Sequence, residues 1–230
     1  MNRRKVILII VEGPSDAEAL EVLLRRFFDQ HNGREVYVAV VHGDITTRDT
    51  SGNIVSKVGD FIKQQAARNF LKQSDYLQVI HLTDTDGCFI DNEDVLFDES
   101  AKAWLYSETN IISSRPQAVC ERNRLKSANI KRLVATKQIW KIPYKMFYMS
   151  CNLDHVLYGK LNRTDEEKER DARAFAARYV NQLDEFVKFM TQSAFSVCSD
   201  YKASWAFIEE LRHSLERHSN LGLVFRRLDE

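Results

Sequence analysis

Glu12, Asp84 and Asp86 are the residues of this 230-residue chain whose types and placement could do chemistry together. Glu12 directly follows the apolar run 6–11 (VILIIV), and Asp84-Thr85-Asp86-Gly87 follows the strand-like run 77–82 (LQVIHL). Side chains along a strand alternate with period two, so Asp84 and Asp86 can point the same way from one strand end. Two carboxylates ~4 Å apart repel by roughly 4 kcal/mol at an effective dielectric near 20, which makes a bound dication welcome. Mg2+ prefers oxygen ligands and keeps several waters, so one or two carboxylates plus a substrate phosphate suffice. Such an ion, Mg2+ or Mn2+, can orient a phosphodiester and stabilise the charge that builds on it. The bland alternatives are turn acids ahead of a glycine for Asp84 and Asp86, and a surface acid for Glu12. The position of Glu12 at the end of an apolar run argues against the latter.

The elements that must position these residues are legible in the same stretch. Residues 5–11 (KVILIIV) form a run dominated by β-branched residues, suited to a strand buried on both faces of a parallel sheet. Pro14 fits a first helical turn. Ala17, Leu20, Leu24, Phe27 and Phe28 then recur at helical spacing, and Gly33 can supply a left-handed stop. Residues 36–41 read as a second strand. Ile54, Val55, Val58, Phe61, Ile62 and Phe70 trace a second helix, and 77–82 a third strand. This strand–helix alternation over ninety residues predicts parallel strands joined by crossovers. Ligands in such sheets gather at the carboxyl ends of strands, where Glu12, Asp84 and Asp86 all lie.

VILIIVEGPSD (6–16) and VIHLTDTDG (79–87), in that order and each at a strand end, resemble the TOPRIM domain of topoisomerases, bacterial primases, small RNA-maturation nucleases and OLD-family nucleases. The resemblance implies an α/β, Rossmann-like, mainly parallel sheet flanked by helices. It implies Asp84 and Asp86 as metal ligands, Glu12 as general acid/base or ligand of a second metal, and Mg2+ or Mn2+ as cofactor. Asp16 matches a further carboxylate that OLD-class enzymes place one turn past the glutamate; an acid favouring a helix N-terminus is the alternative. Gly13 would permit a sharp exit from the strand, and Gly87 a close approach of backbone. Residue 88 is Cys where many topoisomerases carry a third acid, which weakens a topoisomerase reading. The expectation is a metal-dependent nuclease that hydrolyses phosphodiester bonds in DNA or RNA. Some standalone relatives act in bacterial defence against phage, often beside a partner ATPase. The alternative expectation is a module that binds metal and phosphate without cleaving.

The middle of the chain carries opposite charges in adjacent blocks. Residues 84–108 hold eight acids and one lysine, and residues 115–141 hold eight basic residues and one glutamate. The acidic block reads as a loop with a short helix near Trp104; the basic block reads as a helix or helix pair starting at Pro116. Arg122, Arg124, Lys126, Lys131 and Arg132 could contact a phosphate backbone, or form a solvated helix face. Trp104 and Trp140, at the flanks, are expected in the core. Residues 144–149 read as a fourth strand. After it, Asp154 or His155 could reach the acidic cluster, with helix capping by Asn152 the favoured alternative. Asp44, after the second strand, could assist the site, though His42-Gly43-Asp44 reads more simply as a turn.

The tail reads as helical. Ala172, Phe175, Ala176, Tyr179, Val180, Leu183, Phe186, Val187 and Met190 keep a three-four spacing, and Trp205, Ile208, Leu211 and Leu215 mark a last helix. The expected organisation is a catalytic core over 1–160, with a basic helical insertion at about 112–141. A helical region over 161–230 would pack on that core or form a homo-oligomer. Hydrophobic residues make up 44% of the chain, enough for a core, and net charge is zero, so no global basic field marks a polyanion binder. No apolar run is long enough to span a bilayer, and a cytoplasmic protein is expected. Cys88, Cys120, Cys151 and Cys198 show no zinc-ligand spacing and read as reduced thiols.

Overall fold

In a computed structural model, residues 5–32, 35–40, 44–47, 53–197 and 199–225 are described. His42, Gly33 and Cys198 fall outside them. The first ninety residues follow the expected alternation: β1 (Val6–Val11), α1 (Pro14–Asn32), β2 (Glu35–Val40), α2 (Ile54–Arg68) and β3 (Tyr76–Asp84). Both β2 and β3 run parallel to β1. Every residue of β1 is buried, as its unbroken apolar sequence requires of a central strand. Leu20, Leu24, Phe27 and Phe28 form the buried stripe of α1, and Val58, Ile62 and Ala66 that of α2. Phe70 does not continue α2: its φ is 54° and it is 89% exposed, because the helix has already closed at Asn69, whose N–H bonds back to Gln65.

The middle departs from expectation. The acidic stretch forms no helix near Trp104; three short strands, β4 (Val95–Phe97), β5 (Leu105–Tyr106) and β6 (Ile111–Ser113), make a small sheet in the order β4-β6-β5. The basic stretch is one helix, α3 (Pro116–Val134). It leads through β7 (Gln138–Ile139) into β8 (Ile142–Ser150), so the fourth strand is longer than the run 144–149. The main sheet has the order β2-β1-β3-β8-β7. The fold is mixed α/β, with a mostly parallel sheet flanked by helices.

The remainder comprises α4 (Leu153–Tyr158), α5 (Asp165–Tyr179), α6 (Leu183–Gln192), α7 (Tyr201–Ile208) and β9 (His218–Ser219), the last antiparallel to β8. The final helix stops at Ile208; Leu211 has φ 49° and is exposed, while Leu215 is fully buried in the following turns. The apolar spacing of Trp205, Ile208, Leu211 and Leu215 thus spans a helix and the irregular segment after it. Contacts divide the chain into two compact units. One comprises 1–83, 128–147 and 172–183; the other comprises 84–127, 148–171 and 184–230. The first contains β1, α1, β2 and α2; in it a Cβ on Gly59 of α2 would meet Ile139 of β7 at 3.3 Å. In the second, Ile90, Val95, Ile111, Val119, Cys151 and Leu215 form a buried apolar cluster.

Candidate active site

In the first unit, Glu12 follows the last residue of β1 and is 9% exposed. Its Oε1 accepts a hydrogen bond from the Thr83 hydroxyl at 2.7 Å. Thr83 is itself buried and immediately precedes Asp84 in the chain. A buried carboxylate at a strand end needs such a partner, since leaving it unpaired would cost several kcal/mol, of order 1–3 or more. Asp16, third residue of α1, accepts the Gly13 N–H at 2.8 Å, half of a capping box that satisfies one of the helix's open donors. Asp44 accepts from the backbone N–H of Thr46 at 2.7 Å and from its hydroxyl, the geometry of a turn.

In the second unit, Asp84 and Asp86 go to different partners. Asp84 is the last residue of β3, and its Oδ1 accepts the Leu153 N–H at the start of α4 at 3.0 Å. Asp86 lies beyond the strand with φ 48°, so strand alternation no longer sets its direction. Its Oδ2 lies 2.6 Å from Lys126 Nζ and 3.3 Å from Arg122 Nη1, both on α3. The Lys126 side chain is fully buried, and that of Asp86 is 22% exposed. Arg122 also donates to the Asp86 carbonyl at 3.1 Å and the Tyr106 hydroxyl at 3.3 Å, and its guanidinium lies 4.9 Å from the Trp104 ring centre. Burial first, then the Asp86 charge, pushes the pKa of the Tyr106 hydroxyl far above its ordinary value, so it stays neutral. Burial, followed by the charges of Asp86 and Asp84, likewise holds the Cys151 thiol protonated.

The loop that carries these acids is fastened tightly. Thr85 and Asp86 donate backbone N–H bonds to Met149 O (3.0 Å) and Cys151 O (2.7 Å). Ser214 O accepts from the Thr85 hydroxyl at 2.7 Å and from Gly87 N–H at 3.0 Å, while Ser214 Oγ accepts Phe89 N–H at 3.2 Å. Gly87 has φ +66°, and a Cβ there would meet Leu215 Cδ2 at 2.4 Å. The expected close approach at Gly87 is therefore to the segment around Leu215.

Residues 7–87 match the family model of the Toprim domain. The chain carries a Toprim domain. Both quoted motifs lie within or at the edge of that match, from β1 to Gly87. No curated protein and no solved structure matches the chain. The Toprim domain, which occurs in nucleases, primases and topoisomerases, ties this chain to divalent-metal binding and to nucleic-acid enzymology. No helix among the described residues is long and apolar enough to cross a membrane.

The donor chemistry bears on where an ion fits. Glu12 and Asp84 offer hard carboxylate oxygens of the type Mg2+ takes. Asp86 does not fit in this arrangement, because its carboxylate already has two cationic partners. Among the described residues, no group of three or more His, Cys, Asp and Glu side chains is arranged to hold a metal ion.

The remaining candidates fall in varied places. Arg124 is exposed and paired with Glu121 at 2.7 Å; Lys131 and Arg132 are exposed in the last turn of α3. Asn152 caps α4 by accepting the His155 N–H at 3.0 Å. His155 Nδ1 accepts the Cys151 N–H at 3.3 Å, with Nε2 3.4 Å from Glu108. Asp154 is buried, which raises its pKa above the ordinary carboxylate value. Sequence reasoning missed Thr83, Tyr106 and Ser214. Thr83 had a usable signal: it abuts the acidic pair on a strand whose partner ends at Val11, just before Glu12.

Proposed function

We propose that this chain is a Toprim nuclease that hydrolyses phosphodiester bonds in DNA or RNA. The observation that carries this reading is the placement of Glu12: buried at a strand end, held by Thr83, and paired in sequence with the Asp-x-Asp-Gly motif that closes the Toprim match. By the resemblance of the two motifs to Toprim proteins, Glu12 and Asp84 are each candidates to ligate a divalent ion. Such an ion, when bound, polarises a phosphoryl oxygen and activates water. Thr83 fixes the orientation of Glu12, the proposed general acid/base, by donating to its Oε1. Asp84, by accepting the Leu153 N–H, is anchored to the start of α4. The exposed cations Arg124, Lys131 and Arg132 suit contacts to a phosphate backbone. Phage defence and a partner ATPase belong to the finer part of this reading and rest on the resemblance to standalone Toprim nucleases.

One observation favours a second reading, a phosphate- or metal-binding module without cleavage. Asp86 is paired with two cations, Arg122 and Lys126, so the charge of one acid of the Asp-x-Asp motif is compensated without an ion. The deciding experiment incubates the protein with plasmid DNA, single-stranded DNA and structured RNA in Mg2+, Mn2+ or EDTA. Wild type is compared with Glu12→Gln and Asp84→Asn. Metal-dependent cutting that both variants reduce by at least 100-fold supports the nuclease. Cutting that persists in Glu12→Gln refutes the role of Glu12, and binding without product supports the module.

A further inference from the structure

Asp86 occupies the second acidic position of the Asp-x-Asp motif, yet its surroundings are those of a counter-ion. Lys126 reaches it at 2.6 Å with a side chain wholly out of solvent. Arg122, one turn earlier on α3, approaches the same oxygen at 3.3 Å and also bonds the Asp86 carbonyl. Neither cation is loosely placed. Arg122 is stacked near Trp104 and bonded to the Tyr106 hydroxyl, and Lys126 belongs to the buried face of α3 with Val119, Asn123 and Ile130. The acid is equally fixed, by its N–H to Cys151 O and by a left-handed backbone. A divalent ion ligated by this carboxylate would have to sit beside an ammonium and a guanidinium, and repulsion there acts at close range in a poorly solvated place.

We propose that Lys126 and Arg122 are the resident cations of Asp86, standing where a second divalent ion would otherwise sit, so that this chain loads at most one divalent ion and Asp86 is not among its ligands. The inference deepens the reading above and rests on it for the divalent ion proposed there. Charge that a second ion would supply is instead supplied by side chains, and does not vary with ion concentration. Lys126 and Arg122 are thereby positioning residues for the acidic loop, held through Asp86.

Mn2+ alone is the probe. Binding to the intact chain is counted by the loss of the free-ion electron paramagnetic resonance signal and by calorimetric titration. Wild type, Asp86→Asn, Glu12→Gln and Lys126→Met are compared, with circular dichroism confirming that each is folded. The expected result is no more than one Mn2+ per wild-type chain and a Kd in Asp86→Asn within three-fold of wild type. Lys126→Met should bind one additional Mn2+, because it uncovers Asp86. Two ions on the wild-type chain overturn the proposal, as does a ten-fold or greater loss of affinity in folded Asp86→Asn. Should Asp86→Asn not fold, the wild-type count and the Lys126→Met gain decide the matter. Loss of the ion in Glu12→Gln but not in Asp86→Asn supports both readings. A wild-type chain that binds no Mn2+ refutes the metal role of Glu12 and Asp84; the counter-ion proposal then stands if Lys126→Met gains a site and falls if it does not.

Discussion

Replacing Gly87 by alanine tests whether the loop bearing the two aspartates is held by close packing. Gly87 sits at φ +66°, where a Cβ costs about 1–2 kcal/mol from backbone sterics alone. That Cβ would also lie 2.4 Å from Leu215 Cδ2, 3.0 Å from Leu215 Cγ and 3.2 Å from Ile111 Cδ1. Leu215 cannot swing away freely, because it is fully buried in a cluster with Ile90, Val95, Ile111, Val119 and Cys151. Overpacking of this kind adds roughly 1–3 kcal/mol. The sum is about 2–5 kcal/mol, equivalent to a fall in melting temperature of roughly 4–20 °C for a chain of this size. Chemical and thermal unfolding of Gly87→Ala, Leu215→Ala and the double variant provide the assay. Leu215→Ala alone should cost about 2–5 kcal/mol. The double variant should be less destabilised than the sum of the singles by ~1–3 kcal/mol, since the new methyl enters the space that leucine vacated. A Gly87→Ala protein as stable as wild type would refute the backbone argument. Strictly additive energies would refute the contact with Leu215.

Two further outcomes follow from buried polar groups. Asn123 is 4% exposed, and neither side-chain nitrogen nor oxygen has a hydrogen-bond partner among the described residues; Asn123→Leu should therefore raise stability by about 1–2 kcal/mol in urea unfolding, and a loss of that size would show that the amide is satisfied. Burial holds the imidazoles of His155 and His218 below their ordinary 6.5. Below pH 6.5 the unfolded chain therefore takes up protons that the folded one refuses. Their contribution is complete above pH 6.5 and is lost as pH falls from 6.5 through the depressed folded values. Unfolding free energies between pH 7.5 and 5 should decline less steeply in His155→Asn and His218→Asn than in wild type; identical slopes would show that neither ring is held neutral by the fold.

Much of this protein was determined by local sequence alone. A short apolar run rich in β-branched residues suits a strand covered on both faces, and helical spacing after Pro14 and from Ile54 marks where α1 and α2 begin. Strand–helix alternation then puts Glu12 and Asp84 at strand ends, and this part of the chain is the part that matches the Toprim domain. What local pattern could not supply was any decision made between residues far apart in the chain. Period two would aim Asp84 and Asp86 alike, but the chain leaves the strand at Asp84, and a left-handed residue at Asp86 turns its carboxylate to Lys126, forty positions away. Lys126 itself looked like one cation in a solvated basic helix. Its place in the 119, 123, 126, 130, 133 spacing was the available hint that it lies on the buried face of α3. A buried lysine is tolerable only where a carboxylate meets it, and that partner is decided by tertiary packing. The same holds for Ser214 and Leu215, which brace the acidic loop from more than 120 residues away and carry no local mark of doing so.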